Sequence, residues 1–213
     1  MKLFGYWRSS ATYRVRIALA LKNLDYDYEP VNLLKGEQRS DAYLEKNPLG
    51  LVPTLQTDDG ALLTQSVAII EYLEETQGGP SLLPGNPVPR AHARAIAAAI
   101  ASEAQPFGNL RIQKYLKEEC GFDAPSMAEW MNRWPGGAMA AVEKMLERTA
   151  GDYCVGDIPG IADCVLIPQV FAAKRFNVEI GGLKKMNEIY ERCQEHPAFI
   201  KAHPDNQPDA VKA

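Results

Sequence analysis

The chain has 213 residues, 46% of them hydrophobic, with 23 Lys+Arg against 27 Asp+Glu for a net charge of −4. That length and apolar content suffice for one large domain or two small ones with a real core, and the acidic balance argues against nucleic acid as a partner. The four cysteines (Cys120, Cys154, Cys164, Cys193) are widely spaced without a C-x-x-C pair, and there are only three histidines. They read as reduced thiols of a cytoplasmic protein rather than a disulfide framework, and they leave little material for a zinc site. The N-terminus opens as a strand rather than as a charged and apolar leader. No apolar run approaches the ~20 residues of a membrane helix.

In chain order, residues 2–6 read as a strand and residues 10–23 as a helix whose apolar stripe holds Val15, Ala18 and Leu19, with the Lys22 stem closing it. A weak alternation over 25–31 (Tyr26, Tyr28, Val31) predicts a second strand, and a polar stretch then leads to a short helix over 41–46, stopped by Asn47-Pro48. Two apolar runs, 51–57 and 61–64, flank Asp58-Asp59-Gly60 and predict a hairpin with Pro53 at the opening of its first strand. Gln65-Ser66 then leads an amphipathic helix with Ile69, Ile70, Tyr72 and Leu73 as its apolar residues. The order βαβα then ββα suits a thioredoxin-like α/β unit over 1–78.

Residues 79–89, rich in Pro and Gly, predict a linker, and residues 90–213 an all-helical domain. One helix covers 90–117, kinked at Pro106 and Gly108, and another covers 124–149, broken by Pro135-Gly136-Gly137. A third starts near Gly160, a fourth spans 184–195, and the polar composition of 204–213 predicts a loosely held tail.

The run Ser9-Ser10-Ala11-Thr12-Tyr13-Arg14-Val15-Arg16-Ile17 carries the most functional information. It places two hydroxyls at a helix start, where backbone N–H groups lack partners and the dipole end is positive, a place to hold an anion such as a thiolate. No cysteine lies nearby, so a thiolate held there must come from another molecule. Taken alone, a Ser-Ser pair before a helix also reads as a plain N-cap.

This motif, with Asn47-Pro48, Val52-Pro53-Thr54-Leu55, Gln65-Ser66, Pro106-x-x-Asn109-Leu110, Tyr153-Cys154-Val155-Gly156-Asp157, Ala162-Asp163, Arg175-Phe176 and His203-Pro204-x-x-Gln207-Pro208-Asp209, spans nearly the whole chain. Together these blocks resemble the zeta class of soluble glutathione transferases, which contains the maleylacetoacetate isomerases and the glutathione-dependent maleylpyruvate isomerases. Ala11 stands where the family motif usually has cysteine; by the same resemblance maleylpyruvate isomerases also do without it, which leaves glutathione as the nucleophile. Gly160 stands where Ser or Thr commonly caps a helix, a loss of only a few tenths of a kcal/mol.

The resemblance implies a dimeric, glutathione-dependent cis–trans isomerase of aromatic catabolism. A thiolate adds beside the carbonyl of a cis enoyl diacid, the adduct rotates about a single bond, and the thiolate leaves. Ser9, with Ser10 as its close rival, is then the thiolate-stabilising serine, and Arg8 flanks it. For glutathione the resemblance implies backbone contact from Val52 beside a cis Pro53, with the γ-glutamyl carboxylate at Gln65 and Ser66. It puts the glycyl end at Gln38 and Lys35. Gln105 and Asn109, spaced to share one face of an ideal helix, match glutathione or substrate contacts. Arg8, Arg111 and Arg175 are candidates for the substrate carboxylates. By residue type alone, Arg111 reads as a solvated face and Arg175 as a helix C-terminal cation. Arg14 and Arg16 read as structural, one snorkelling and one pairing with a carboxylate, with Arg14 the one that can reach the site. Asp163 reads as a capping carboxylate, and the cysteines as core.

The substrate expected is maleylacetoacetate or a close analogue. Rivals are maleylpyruvate, conjugation or dehalogenation of small α-halo acids, and a glutathione-binding protein without turnover.

Overall fold

The computed structural model describes residues 1–211. The described residues divide into two compact units, one formed by 1–82 with 195–211 and one by 83–194.

The first unit is built on a four-stranded sheet of order β2-β1-β3-β4. Strand β1 (Lys2–Gly5) pairs in parallel with β2 (Asp27–Pro30) and antiparallel with β3 (Thr54–Gln56), which pairs antiparallel with β4 (Leu62–Thr64). Strand β3 is shorter than the 51–57 run predicts. Proline offers no N–H to a ladder, and the Val52–Pro53 bond is cis, so residues 51–53 form a loop ahead of it.

Helix α1 (Ser10–Leu21) follows β1 and packs on α3 (Ser66–Thr76) and on α10 (Pro197–Ala202). Every residue from Thr12 to Leu19 is buried. Close approach of α1 to β1 depends on Gly5, where a β-carbon would lie 2.3 Å from Thr12 Cγ2. Lys22 does not end in solvent as a snorkelling stem: its ammonium is buried against Glu74 Oε2 (3.3 Å) and the Pro80 carbonyl (3.2 Å). A short α2 (Asp41–Leu44) supplies Tyr43 to a core cluster with Phe4, Tyr6, Trp7, Val31 and Val52.

The last segment, 195–211, belongs with this unit rather than with the helices that precede it in sequence. Nor is it loose. Pro204 is buried in a 3-10 turn over 204–206, Ala210 packs on the Phe4–Trp7 cluster, and the Asp209 carboxylate accepts from the Trp7 N–H at 3.0 Å and the Tyr28 hydroxyl at 3.1 Å.

The second unit is helical. Helix α4 (Pro87–Ala99) starts with proline at its first position, where no N–H is needed, so the linker drawn over 79–89 ends inside a helix. The single kinked helix predicted over 90–117 is instead α4, a π-helical turn at Ile100–Ala104, a 3-10 turn at Pro106–Gly108 and α5 (Leu110–Glu118). Pro135 does not break the next stretch. α6 (Ala124–Met131) runs through a π-helical turn at Asn132–Gly136 into α7 (Gly137–Thr149), and the wider turn accommodates the missing donor.

Helix α8 (Ile161–Arg175) is buried along its first ten residues, Ile161 to Val170. Asp163 does what the sequence predicts: its two oxygens accept from the Cys154 N–H (2.9 Å) and the Gly160 N–H (2.8 Å). Glu143 does the same for α9 (Lys184–Glu195), accepting from the N–H groups of Lys185 and Met186 at 2.8 and 2.9 Å. No helix among the described residues is long and apolar enough to cross a membrane.

Candidate functional site

Three loops of the first unit end at helix starts or strand edges with unused backbone polarity. At the first, Ser9 is the N-cap of α1, and its Oγ accepts from the Thr12 N–H at 3.2 Å. The hydroxyl still has its own hydrogen to donate. Capping and thiolate donation are therefore compatible at Ser9, not alternatives. Thr12 and Tyr13 N–H are taken by Ser9 Oγ and Ser9 C=O. That leaves the N–H groups of Ser10 and Ala11 without acceptors among the described residues, at the positive end of a twelve-residue helix. Arg8 lies half-buried with its guanidinium over the Trp7 ring, 4.7 Å from the centroid, and its Nε is buried without a partner among the described residues.

At the second, Leu51 C=O is taken by Asn47 Nδ2 (2.7 Å) and Tyr43 Oη (2.8 Å), and Tyr43 Oη also meets Thr54 Oγ1 at 3.0 Å. These bonds set the loop through Val52 and Pro53, while the Val52 N–H and C=O bond to no described residue. A bent backbone just ahead of β3 with both of these groups open offers a second peptide a donor and an acceptor.

At the third, Gln65 precedes α3 with φ +67° and ψ +111°, a region side chains rarely adopt. Next to it the buried Ser66 Oγ accepts from Arg14 Nη1 at 3.2 Å. Arg14 is fully enclosed, and burial pushes its pKa down to about 10. Its Nε and Nη2 have no partner among the described residues. It neither snorkels nor meets a carboxylate: it stands behind Ser66 as an uncompensated cation.

Gln38 sits in a 3-10 turn over Glu37–Arg39 with its Oε1 buried and unpartnered among the described residues. Lys35 is exposed, its N–H held by Asn32 Oδ1 at 3.2 Å.

Arg16 departs from expectation too. It is buried and donates to two carbonyls, Trp7 (2.9 Å) and Ala202 (3.0 Å), rather than forming a hydrogen-bonded carboxylate pair.

In the second unit, Gln105 ends the π-helical turn, and Asn109 is in extended conformation as the N-cap of α5, its Oδ1 accepting from the Arg111 N–H at 3.1 Å. The two residues therefore do not share a face of one helix as their spacing predicts. Arg111 is exposed in the first turn of α5. Arg175 is exposed at the end of α8, its guanidinium 4.3 Å from the Phe176 ring centroid. Trp130 and Trp134, spaced i, i+4 on successive turns, brace this region, a role that nothing in their local sequence signals. Trp134 stacks on Phe107 at 5.3 Å, and Trp130 Nε1 donates to the Phe107 carbonyl at 2.9 Å, fixing the turn that delivers Asn109.

The buried thiols of Cys154, Cys164 and Cys193 are pushed up by desolvation, with Asp163 adding to the effect, and so are poor nucleophiles. No group of histidines, cysteines and carboxylates among the described residues could hold a metal.

The family model described as "Glutathione S-transferase, N-terminal domain" matches residues 8–76. The maleylacetoacetate isomerase of Pseudomonas aeruginosa is 46% identical over all of both chains. A bacterial maleylpyruvate isomerase, described as a zeta-class glutathione S-transferase in holo form, superposes with TM-score 0.95 at 39% identity, covering 99% of this chain and 100% of that one. The maleylacetoacetate isomerase of Methylobacterium extorquens AM1, solved with malonate and glutathione bound, has TM-score 0.94 at 36% identity over 100% of both chains.

Proposed function

The chain belongs to the zeta-class glutathione transferase family of maleylacetoacetate and maleylpyruvate isomerases, and from that membership and its own site we propose that it is a glutathione-dependent cis–trans isomerase of maleylacetoacetate or a close diacid analogue. The observation that carries the reading is the start of α1: a hydroxyl and two open N–H groups converge on an anion site that has alanine, Ala11, where a thiol of its own would stand.

The residues fit glutathione. The orphaned Gln38 Oε1, the open Val52 backbone and the unpaired Arg14 nitrogens behind Ser66 are polar groups whose burial is costly without a polar partner. When bound, glutathione supplies a thiolate that adds reversibly to the cis enoyl diacid, so that rotation takes place about a single bond.

The protein's part is electrostatic. Ser9 donates its hydroxyl hydrogen to the sulfur, with Ser10 as the alternative donor, and the Ser10 and Ala11 N–H groups add the helix-end field. These favour thiolate over a thiol whose ordinary pKa is ~8.5. Val52 pairs with the cysteinyl backbone beside Pro53. Gln65 and Ser66, backed by Arg14, take the γ-glutamyl carboxylate, and Gln38 and Lys35 take the glycyl end. Gln105 and Asn109 are polar contacts for glutathione or substrate. Arg8, Arg111 and Arg175 hold the two substrate carboxylates and the charge that develops on the carbonyl oxygen.

A second reading, maleylpyruvate as the substrate, is favoured by Ala11 and by the likeness to a maleylpyruvate isomerase. We also propose that the protein is a cytoplasmic homodimer, on its family alone. Purified protein with glutathione, assayed side by side on maleylacetoacetate, maleylpyruvate and a small α-halo acid, tests the reading. Isomerisation of a maleyl acid with glutathione unconsumed supports it. Halide release alone would replace it with the transferase reading, and binding of glutathione without turnover would replace it with a binding protein.

A further inference from the structure

The block His203-Pro204-x-x-Gln207-Pro208-Asp209 lies outside every role assigned above, yet it ends beside the start of the site. Asp209 is one of two groups that hold the Trp7 backbone on either side of its Cα. Its Oδ2 accepts from the Trp7 N–H at 3.0 Å, and Arg16 Nη2 donates to the Trp7 C=O at 2.9 Å. The Tyr28 hydroxyl donates to the same Oδ2 at 3.1 Å and so orients the carboxylate. Arg16 also donates to the Ala202 carbonyl at 3.0 Å, which ties the C-terminal segment back to α1. Ser9 N–H donates to the Tyr6 C=O at 3.0 Å, so Trp7 and Arg8 span a single tight turn whose two ends are both fastened. Ala210 covers the same aromatic cluster.

We infer that Asp209 is a positioning residue for the isomerase site: with Arg16 it clamps the two peptide units that flank Trp7, and through that backbone it sets where Arg8 and Ser9 present their side chains. Three features support this over a merely structural tail. The clamp grips backbone, so it fixes the path of the loop and not just one side chain. It falls one residue before Arg8 and two before Ser9. And it joins the two ends of the chain, 202 residues apart, at the one loop where the thiolate is to be held. An error of an ångström in such a group is enough to cost about a hundredfold in rate.

The inference rests on the glutathione reading above, and the experiment keeps the two apart. The measurements are steady-state kinetics and an ultraviolet titration of the bound glutathione thiol, on the full chain. Asp209→Ala should lower kcat by about tenfold to a hundredfold with KM for glutathione changed much less, because the binding loops at Val52 and Ser66 are untouched. The bound thiol should titrate about one pH unit higher than in the wild type. Asp209→Asn, which keeps an oxygen to accept from Trp7, should stay within about threefold of wild type. Gln207→Ala loses bonds to the Lys201 and His203 carbonyls in the same tail. It should lower thermal stability while leaving kcat and the thiol titration as they are. If Asp209→Ala does not fold, Asp209→Glu keeps the charge but displaces the acceptor, and the same loss in kcat is expected.

Wild-type kcat and thiol titration in folded Asp209→Ala or Asp209→Glu would overturn the inference. So would an Asp209→Asn as impaired as Asp209→Ala, or a Gln207→Ala that shifts the thiol titration equally. If the wild type itself leaves the thiol near its free value, the glutathione reading falls and this inference with it.

Discussion

Replacing Arg14 with methionine separates what a buried charge costs the fold from what it contributes to binding. The guanidinium is enclosed, spends one nitrogen on Ser66 Oγ at 3.2 Å, and leaves Nε and Nη2 without partners among the described residues. Burial takes its pKa from 12.5 to about 10, and at ~1.36 kcal/mol per unit the charged form carries a standing cost on the order of 3 kcal/mol in the folded chain. Methionine has comparable length, no charge and no unmet donors, and such replacements of buried charges are often neutral or stabilising by about 1–4 kcal/mol. If the cation served only the fold, nothing would favour it.

Its proposed service is to the carboxylate at the start of α3. Arg14→Met should therefore fold with an unchanged or higher melting temperature while losing about tenfold in glutathione affinity. A tenfold change is ~1.4 kcal/mol, the lower end of what a charge-assisted hydrogen bond is worth. Isothermal titration with glutathione beside thermal unfolding of the same preparation reads both quantities. A variant that melts much lower yet binds glutathione as the wild type does would refute the reasoning, since the charge would then be structural.

Gly5→Ala should destabilise the first unit by ~1–3 kcal/mol in denaturant unfolding, because its β-carbon would sit 2.3 Å from Thr12 Cγ2 on the packed face of α1. Ser9→Ala should lose ~1–2 kcal/mol as well as thiolate donation, whereas Ser9→Gly should lose the donation at a cost of only a few tenths. Equal activity in both and in the wild type would pass the role to Ser10. Stability should also fall on mild acidification through His203, whose pKa burial holds below 6.5 and whose Nδ1 accepts from the Asp205 N–H at 3.3 Å. As pH drops through the unfolded value of ~6.5, the unfolded chain takes up the proton first, so the folded state loses ground until its own lower pKa is passed. His203→Asn, which keeps a capping acceptor, should flatten that slope in melts between pH 7 and 5; an unchanged slope would place the effect elsewhere.

The order of elements in the first unit was readable because its strands are short and marked by turn residues, and because α3 shows a plain apolar stripe. Helix α1 was readable from its start signal more than from periodicity, since the helix is buried on several sides and its stripe is blurred. The π-helical turns at Ile100–Ala104 and Asn132–Gly136 were not, because a local change of helical period leaves no mark in residue type beyond a nearby proline. Asn109 looked like a mid-helix partner of Gln105, while Pro106 and Gly108 had in fact ended one helix and made it the cap of the next.

Within the site, groups that act through local backbone were legible: the Ser9 cap and the helix start at Ser66. Groups that act across the chain were not. Of Arg14 and Arg16, residue type predicts one snorkelling and one paired with a carboxylate; they meet a hydroxyl and two carbonyls instead. Asp209 lies in a tail whose polarity suggests solvent, and only the fold brings it to Trp7. Long-range pairing has no local signature.

The central claim is that the start of α1 ionises a thiol the chain does not own. It is tested most directly by titrating the wild-type protein, saturated with glutathione, from pH 5 to 10 while following thiolate absorbance in the ultraviolet. The account predicts a midpoint at least about one unit below the free-thiol value of ~8.5. A midpoint at the free value, with glutathione demonstrably bound, would contradict it.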